Sequence, residues 1–139
     1  MGDDSAFAGA KVALFLGADL LVIRRDAHKP IPWPGYLDFP GGGREAGETP
    51  EDCVLRETRE EVGLDLAAAE LSWRRRYVDR AGPVWFFACR LPAERRGQVV
   101  FGEEGQGWGL MRPEAYLGHP DAIPHFADRL RDYLASAGA

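Results

Sequence analysis

Gly41-Gly42-Gly43-Arg44-Glu45-Ala46-Gly47-Glu48-Thr49-Pro50-Glu51-Asp52-Cys53-Val54-Leu55-Arg56-Glu57-Thr58-Arg59-Glu60-Glu61-Val62-Gly63-Leu64 is the stretch on which the fold turns. A glycine-rich turn runs into a short helix with clear boundary signals. Thr49 can cap it, Pro50 suits the first helical position, and Asp52 stands where a capping-box acid belongs. Gly63 ends it as a C-terminal glycine does. Within that helix Glu57, Glu60 and Glu61 fall inside an arc of roughly 100°. Like charges packed so closely repel one another, and the i,i+4 pair Glu57/Glu61 destabilises an isolated helix. Hard oxygen ligands crowded in this way become favourable around a divalent cation, with Mg²⁺ the usual occupant. Val54, Leu55, Thr58 and Val62 are expected on the opposite, buried face.

Working outward, Lys11–Leu16 and Leu20–Arg25 read as strands of a hairpin joined through Gly17-Ala18-Asp19. Residues 1–8 read as a loose terminus. Pro30, Pro32 and Pro34 force residues 27–36 into an irregular loop, because proline continues neither a helix nor a strand ladder. Leu37-Asp38-Phe39 is a short extended piece before the glycines. Leu71–Val78, Val84–Leu91, Val99–Phe101 and Trp108–Met111 read as further strands, with an acidic, glycine-rich loop at residues 102–107. Pro113–Leu117 suggests one turn of helix, and residues 124–134 an amphipathic terminal helix with Phe126, Ala127, Leu130 and Leu134 apolar. The order fits an α+β fold: a mixed sheet between helices, an α/β/α sandwich, in one domain over residues 1–139.

Composition narrows the function classes. The chain has 139 residues, 45% hydrophobic and 28% charged, within the range of one globular domain. Its formal charge is −5 and no basic run suggests a polymeric nucleic-acid partner. Arg74-Arg75-Arg76 would alternate faces on a strand. No apolar run approaches a membrane span and no signal peptide is evident, so a cytoplasmic location is expected. Cys53 and Cys89 lack metal-type spacing and read as buried, reduced thiols. His28, His119 and His125 are isolated and receive no role.

Gly42, Glu48, Arg56, Glu57, Glu60, Glu61 and Gly63, at this spacing, resemble the signature of the Nudix hydrolases, which cleave a diphosphate linked to another moiety. Thr58 departs from that pattern, which prefers a bulky hydrophobe there. A P-loop is a poorer match, because no Gly-Lys-Ser/Thr follows the glycines. The resemblance implies that Glu60 and Glu61 are the principal metal ligands, joined by the backbone carbonyl near Gly41. Glu57 would bind a metal-held water or accept its proton, and Arg56 would hold a glutamate in place. Glu104, or its neighbour Glu103, would add a late-loop metal ligand or base. Arg24 resembles a phosphate-contacting arginine. Trp33, Tyr36, Phe39, Trp85 and Trp108 could supply a stacking wall for a base.

The activity implied is Mg²⁺-dependent hydrolysis (Mn²⁺ substituting) of a nucleoside diphosphate derivative, with an oxidised or unmodified nucleoside triphosphate foremost. The rival is an inactive, Nudix-like sensor of a nucleotide metabolite. Val84–Phe87, read as an exposed aromatic strand, would suit a homodimer.

Overall fold

The computed structural model describes residues 6–137. Its strands are β1 (Gly9–Leu16), β2 (Asp19–Arg24), β3 (Leu37–Asp38), β4 (Gly41–Gly43), β5 (Leu71–Asp79), β6 (Gly82–Leu91) and β7 (Gly107–Met111). The helices are α1 (Pro50–Val62), α2 (Pro113–Leu117) and α3 (Pro124–Ala137). Short 3₁₀ turns lie at Ala68–Glu70 and Ala93–Gln98.

The sheet is mixed, because β1 runs parallel to β6 from Gly9↔Val84 to Leu16↔Leu91 while its other pairings are antiparallel. A strand has two edges, and this decides the topology. One edge of β1 belongs wholly to β6. The other is shared, with β2 at Phe15–Leu16 and β4 at Gly9–Lys11. Likewise β2 gives one edge to β7 and shares the other between β1 and β3. The β1–β2 hairpin therefore splays apart beyond its turn, and residues 37–43 fill the fork. Val12 N–H donating to the Pro40 carbonyl at 2.9 Å closes this junction. What reads as a glycine turn in the sequence is thus an extended strand.

Both faces of the sheet are buried, and the alternation along the central strands shows it. Val12, Leu14, Leu21, Ile23, Phe87 and Cys89 pack with Cys53, Val54 and Val62 of α1. Ala13, Phe15, Leu20, Val22, Phe86 and Ala88 pack with Tyr116 of α2 and Phe126 and Leu130 of α3. Each fully buried Phe contributes roughly 2–3 kcal/mol by leaving water. The sandwich is the one the element order predicts.

Four further details depart from the sequence reading. Residues 1–5 lie outside the described residues, but Phe7 is buried and Ala8 N–H bonds the Pro83 carbonyl at 2.7 Å, so 7–8 are anchored. Val99–Phe101 is not a strand. Val100 N–H donates to the Val62 carbonyl at 2.9 Å and Gly102 N–H to the Glu61 carbonyl at 2.8 Å, so this segment caps the end of α1. Val84–Phe87 is not exposed, because β6 lies between β1 and β5 and both Phe86 and Phe87 are fully buried. Val84 and Trp85 are half-buried.

The fourth concerns α1. Its capping box, Pro50 and left-handed Gly63 (φ 72°) are as expected. The acids, however, abut the buried face instead of opposing it. Val54 and Glu61 are seven residues apart and so only about 20° apart around the helix. Cys53, below Glu57, is also fully buried. The buried stripe runs under the acids, and Glu61 is partly buried for that reason.

Candidate functional site

Arg56 is the hub of the site. Its Nε and Nη2 donate to the two carboxylate oxygens of Glu48 at 2.6 and 3.1 Å. Nη1 donates to Glu57 at 2.8 Å and to Glu60 at 3.2 Å, and Nη2 also to the Gly43 carbonyl at 2.9 Å. A planar guanidinium can hold so many oxygens because its donors fan out in a fixed fork. The ion pair holds Glu48 below its ordinary carboxylate range and pushes Arg56 further above its own. This array ties the segment before α1 to the helix and to β4.

Glu57 lies directly on β4. A Cβ at Gly42 would stand 2.5 Å from Glu57 Oε1, so only glycine lets the carboxylate occupy that place. Glu60 is the exposed member, with 56% of its side chain in solvent. Glu61 turns inward and accepts from Gly41 N–H at 2.9 Å. Burial pushes its carboxyl up to about 7. Lys11 and the Gly41 N–H oppose that rise, while Asp38 and Glu57 add to it.

Glu61 also lines a cavity of about 140 Å³ with Asp38, Arg25, Asp26, Lys29 and Glu104. Glu104 is brought to Glu61 because the 99–102 segment is hydrogen-bonded to the end of α1; Glu103 does not line the cavity. Arg24 goes elsewhere. It donates to the Gly35 carbonyl at 2.8 Å and to Asp121 at 2.7 Å, and it borders a different cavity with Trp108 and His119. Successive strand residues face opposite ways, so Arg25 reaches the acids and Arg24 does not.

A buried ion triad supports this cavity and was not singled out from the sequence. Asp38, 5% exposed, accepts from Arg25 at 2.7 Å and from Lys11 at 3.1 Å. Lys11 also donates to the Gly41 carbonyl at 2.8 Å, the group the resemblance assigns to a metal. The available signal was Asp38 itself: an acid between Leu37 and Phe39 needs a cationic partner if its strand is buried. The proposed stacking residues scatter. Phe39 is fully buried against Tyr116 and Phe126, and Trp33 pairs edge-on with Tyr36. Trp85 lines a third cavity, beside Gly42 and Gly43. Cys53 and Cys89 are free and buried, with thiols pushed up to about 11 and about 12.

Among the described residues no three acidic, His or Cys side chains already converge as a cation cage. The cause is Arg56, which draws Glu57 and Glu60 to itself and relieves their repulsion. The donor set still suits a hard divalent cation. Glu57, Glu60 and Glu61 offer carboxylate oxygens from one and a half turns of a fixed helix, and Gly42 removes the side chain that would block them. Among the described residues no helix is long and apolar enough to cross a membrane.

Comparison with known proteins gives the family from the domain pattern and the curated relatives, and a shared fold from the solved structures. The 8-oxo-dGTP diphosphatase of Escherichia coli K12 is 38% identical over 92 residues, 63% of this chain and 65% of that one. The chain thus spans less than two thirds of that relative's length, and half of its Haemophilus influenzae counterpart. An uncharacterised Nudix hydrolase of Streptomyces coelicolor is 33% identical over 128 residues, covering 86% of this chain and 70% of its own. The crystal structure of a MutT protein from Methanosarcina mazei Go1 superposes with TM-score 0.76 over 99% of this chain and 100% of its own, at 17% identity. The NUDIX domain pattern itself matches residues 7–133, and the chain belongs to the Nudix hydrolase family.

Proposed function

We propose that this protein hydrolyses a diphosphate linkage in a nucleoside diphosphate derivative, with a nucleoside triphosphate as the favoured substrate. The reaction is proposed to need a divalent cation, Mg²⁺ first and Mn²⁺ as a substitute. The observation that carries the reading is the Arg56-centred carboxylate array of α1, set against the glycine strand β4, with Glu61 of the same helix lining a cavity alongside Glu104, Arg25 and Lys29. A bound cation supplies charge neutralisation of the diphosphate and a more acidic attacking water.

The chain's own residues do the rest. Glu57, Glu60 and Glu61 would hold the cation, and Glu104, which lines the cavity with Glu61, would add a ligand. Arg56 fixes Glu57 against β4 and leaves Glu60 exposed. Arg25 and Lys29 line the cavity and would offer positive charge to phosphate oxygens, and Glu57 would bind a metal-held water or accept its proton. In-line positioning and charge stabilisation are the main demands of phosphoryl transfer, and a rigid helix meets them well. The third cavity, along Gly42 and Gly43 and walled by Trp85, His125 and Phe126, suits the nucleoside. The E. coli and H. influenzae relatives named as 8-oxo-dGTP diphosphatases support a nucleoside triphosphate.

The test is turnover of a panel of nucleoside triphosphates, sugar nucleotides and dinucleotides, with and without Mg²⁺, by wild type and by Glu60→Gln and Glu61→Gln. Loss of turnover in the folded variants supports the reading. Unchanged turnover in both variants sinks it, and tight nucleotide binding without any product would identify a sensor instead.

A further inference from the structure

Lys11 directs its ammonium at the segment that would help to hold a cation. It donates to the Gly41 carbonyl at 2.8 Å, to Asp38 Oδ2 at 3.1 Å and to the Phe39 carbonyl at 3.3 Å, so its N–H donors all end on residues 38–41. The side chain is 19% exposed. Asp38 is also paired with Arg25 at 2.7 Å. Two cations on one carboxylate leave a positive charge over, and that charge acts on Glu61. Burial raises the Glu61 carboxyl to about 7, and Lys11 leads the influences that oppose the rise.

The Gly41 carbonyl does not need Lys11 to aim it. Gly41 pairs with Lys11 in the β1–β4 ladder, and its N–H is held by Glu61 at 2.9 Å. Val12 N–H anchors the preceding Pro40 carbonyl at 2.9 Å, and a Cβ at Gly41 would strike the Ala10 carbonyl. The backbone is fixed on every side, so what Lys11 adds is charge. A unit charge close to a divalent ion in a half-buried site changes its affinity by about tenfold or more. One donor on a carbonyl that is already fixed contributes less than that.

We propose that Lys11 is a tethered cation that weakens the binding of a divalent ion at the Gly41 carbonyl and Glu61, holding the affinity for free cation below what the carboxylates alone would give. The inference rests on the cation reading above and adds a residue of β1 that lies outside the glycine and glutamate motif. Arg56 plays the matching part for Glu57 and Glu60, to which it donates at 2.8 and 3.2 Å. The acids of α1 are therefore partly compensated from two sides by the chain's own cations.

Calorimetric titration of the full chain with Mn²⁺ at pH 8, without nucleotide, tests this. Lys11→Met and Lys11→Gln are each expected to bind about tenfold more tightly than wild type. Lys11→Arg, which keeps the charge, is expected to stay within about threefold of wild type. Loss of a residue that merely supported the fold would weaken binding, so a gain separates the two roles. Affinities of both neutral variants within about twofold of wild type, or weaker, overturn the proposal and leave the cation site standing. A second readout needs no Lys11 variant. The chain has two lysines, Lys11 and Lys29, so lysine-selective ¹⁵N labelling gives two side-chain signals, told apart by Lys29→Arg. Mg²⁺ is expected to shift the Lys11 signal over the concentration range in which calorimetry shows binding, and a signal unmoved at saturation overturns the proposal. Binding by the neutral variants but not by wild type would support it in its strongest form. No binding by any of them would remove the cation reading, and this inference with it.

Discussion

Cation affinity should fall steeply as the pH drops below 7, and Glu61 is the cause. In the metal-free protein burial pushes its carboxyl up to about 7, with Asp38 and Glu57 adding to the rise. A cation that uses Glu61 must displace its proton, so binding and deprotonation are one event. With a pKa of about 7, the apparent dissociation constant is multiplied by about 11 at pH 6 and by about 1.1 at pH 8, a ratio of roughly ten. About half a proton should leave per cation bound at pH 7, and nearly a whole one at pH 6. Glu48, held low by Arg56, and Cys53, at about 11, both titrate outside this window.

The assay is calorimetric titration of Mg²⁺ or Mn²⁺ at pH 6, 7 and 8, in buffers of different ionisation enthalpy so that proton release is counted directly. Glu61→Gln should bind more weakly at pH 8 and lose this pH dependence. An affinity flat within about twofold from pH 6 to 8 would refute the reasoning, because a Glu61 ligand raised towards 7 by burial cannot avoid the competition.

Without cation, the same shift should make the fold less stable as pH rises. The protonated form of Glu61 is favoured in the folded state, so its contribution is full below the ordinary value of 4.5 and gone above about 7. The upper limit is about 3 kcal/mol, reduced by residual solvation, and melting in a chelator across pH 4.5–8 measures it. Gly42→Ala should leave Tm within about 3 °C yet weaken cation binding tenfold or more, since its Cβ displaces the Glu57 carboxylate and not backbone; a wild-type affinity would contradict the packing. Arg56→Met should lower stability by about 2 kcal/mol and turnover by about a hundredfold, and Arg56→Lys should not rescue either, because a point charge cannot bridge Glu48 and Glu57 together. Thr58→Val should raise stability by about 1 kcal/mol, because the Thr58 hydroxyl is fully buried with no hydrogen-bond partner among the described residues; denaturant melts check it, and a lower midpoint would show that the hydroxyl has a partner.

Helix α1 was legible to the residue because its signals are local: a cap, a proline, a capping acid and a terminal glycine all act within a turn of where they stand. The hairpins and the sandwich were legible for a similar reason, since alternation and short turns are read along the chain. The fork of β1 and β2 was not, because it depends on which edge of each strand is already taken, a fact held in residues far apart. Val99–Phe101 looked like a strand by composition, yet the carbonyls of Glu61 and Val62 claimed its donors. The motif identified the acids by spacing, but spacing could not assign Arg24 and Arg25 to their sides of β2, nor join Lys11 to Asp38 across 27 positions.

The placement of the acids beside the core, and not across from it, links these observations. A metal face turned fully to solvent would keep all three glutamates ionised and mobile. Here the buried stripe of Val54, Thr58 and Val62 passes under Glu61, while Arg56 anchors Glu57 and leaves Glu60 exposed. The three carboxylates therefore differ in burial and freedom although the sequence presents them as one cluster. Glu61 resists charging until a positive partner arrives, Glu57 is already held against β4, and Glu60 can swing to whatever enters. A helix that must pack and bind on overlapping faces thereby holds in Glu61 a buried acid whose charging a cation would favour.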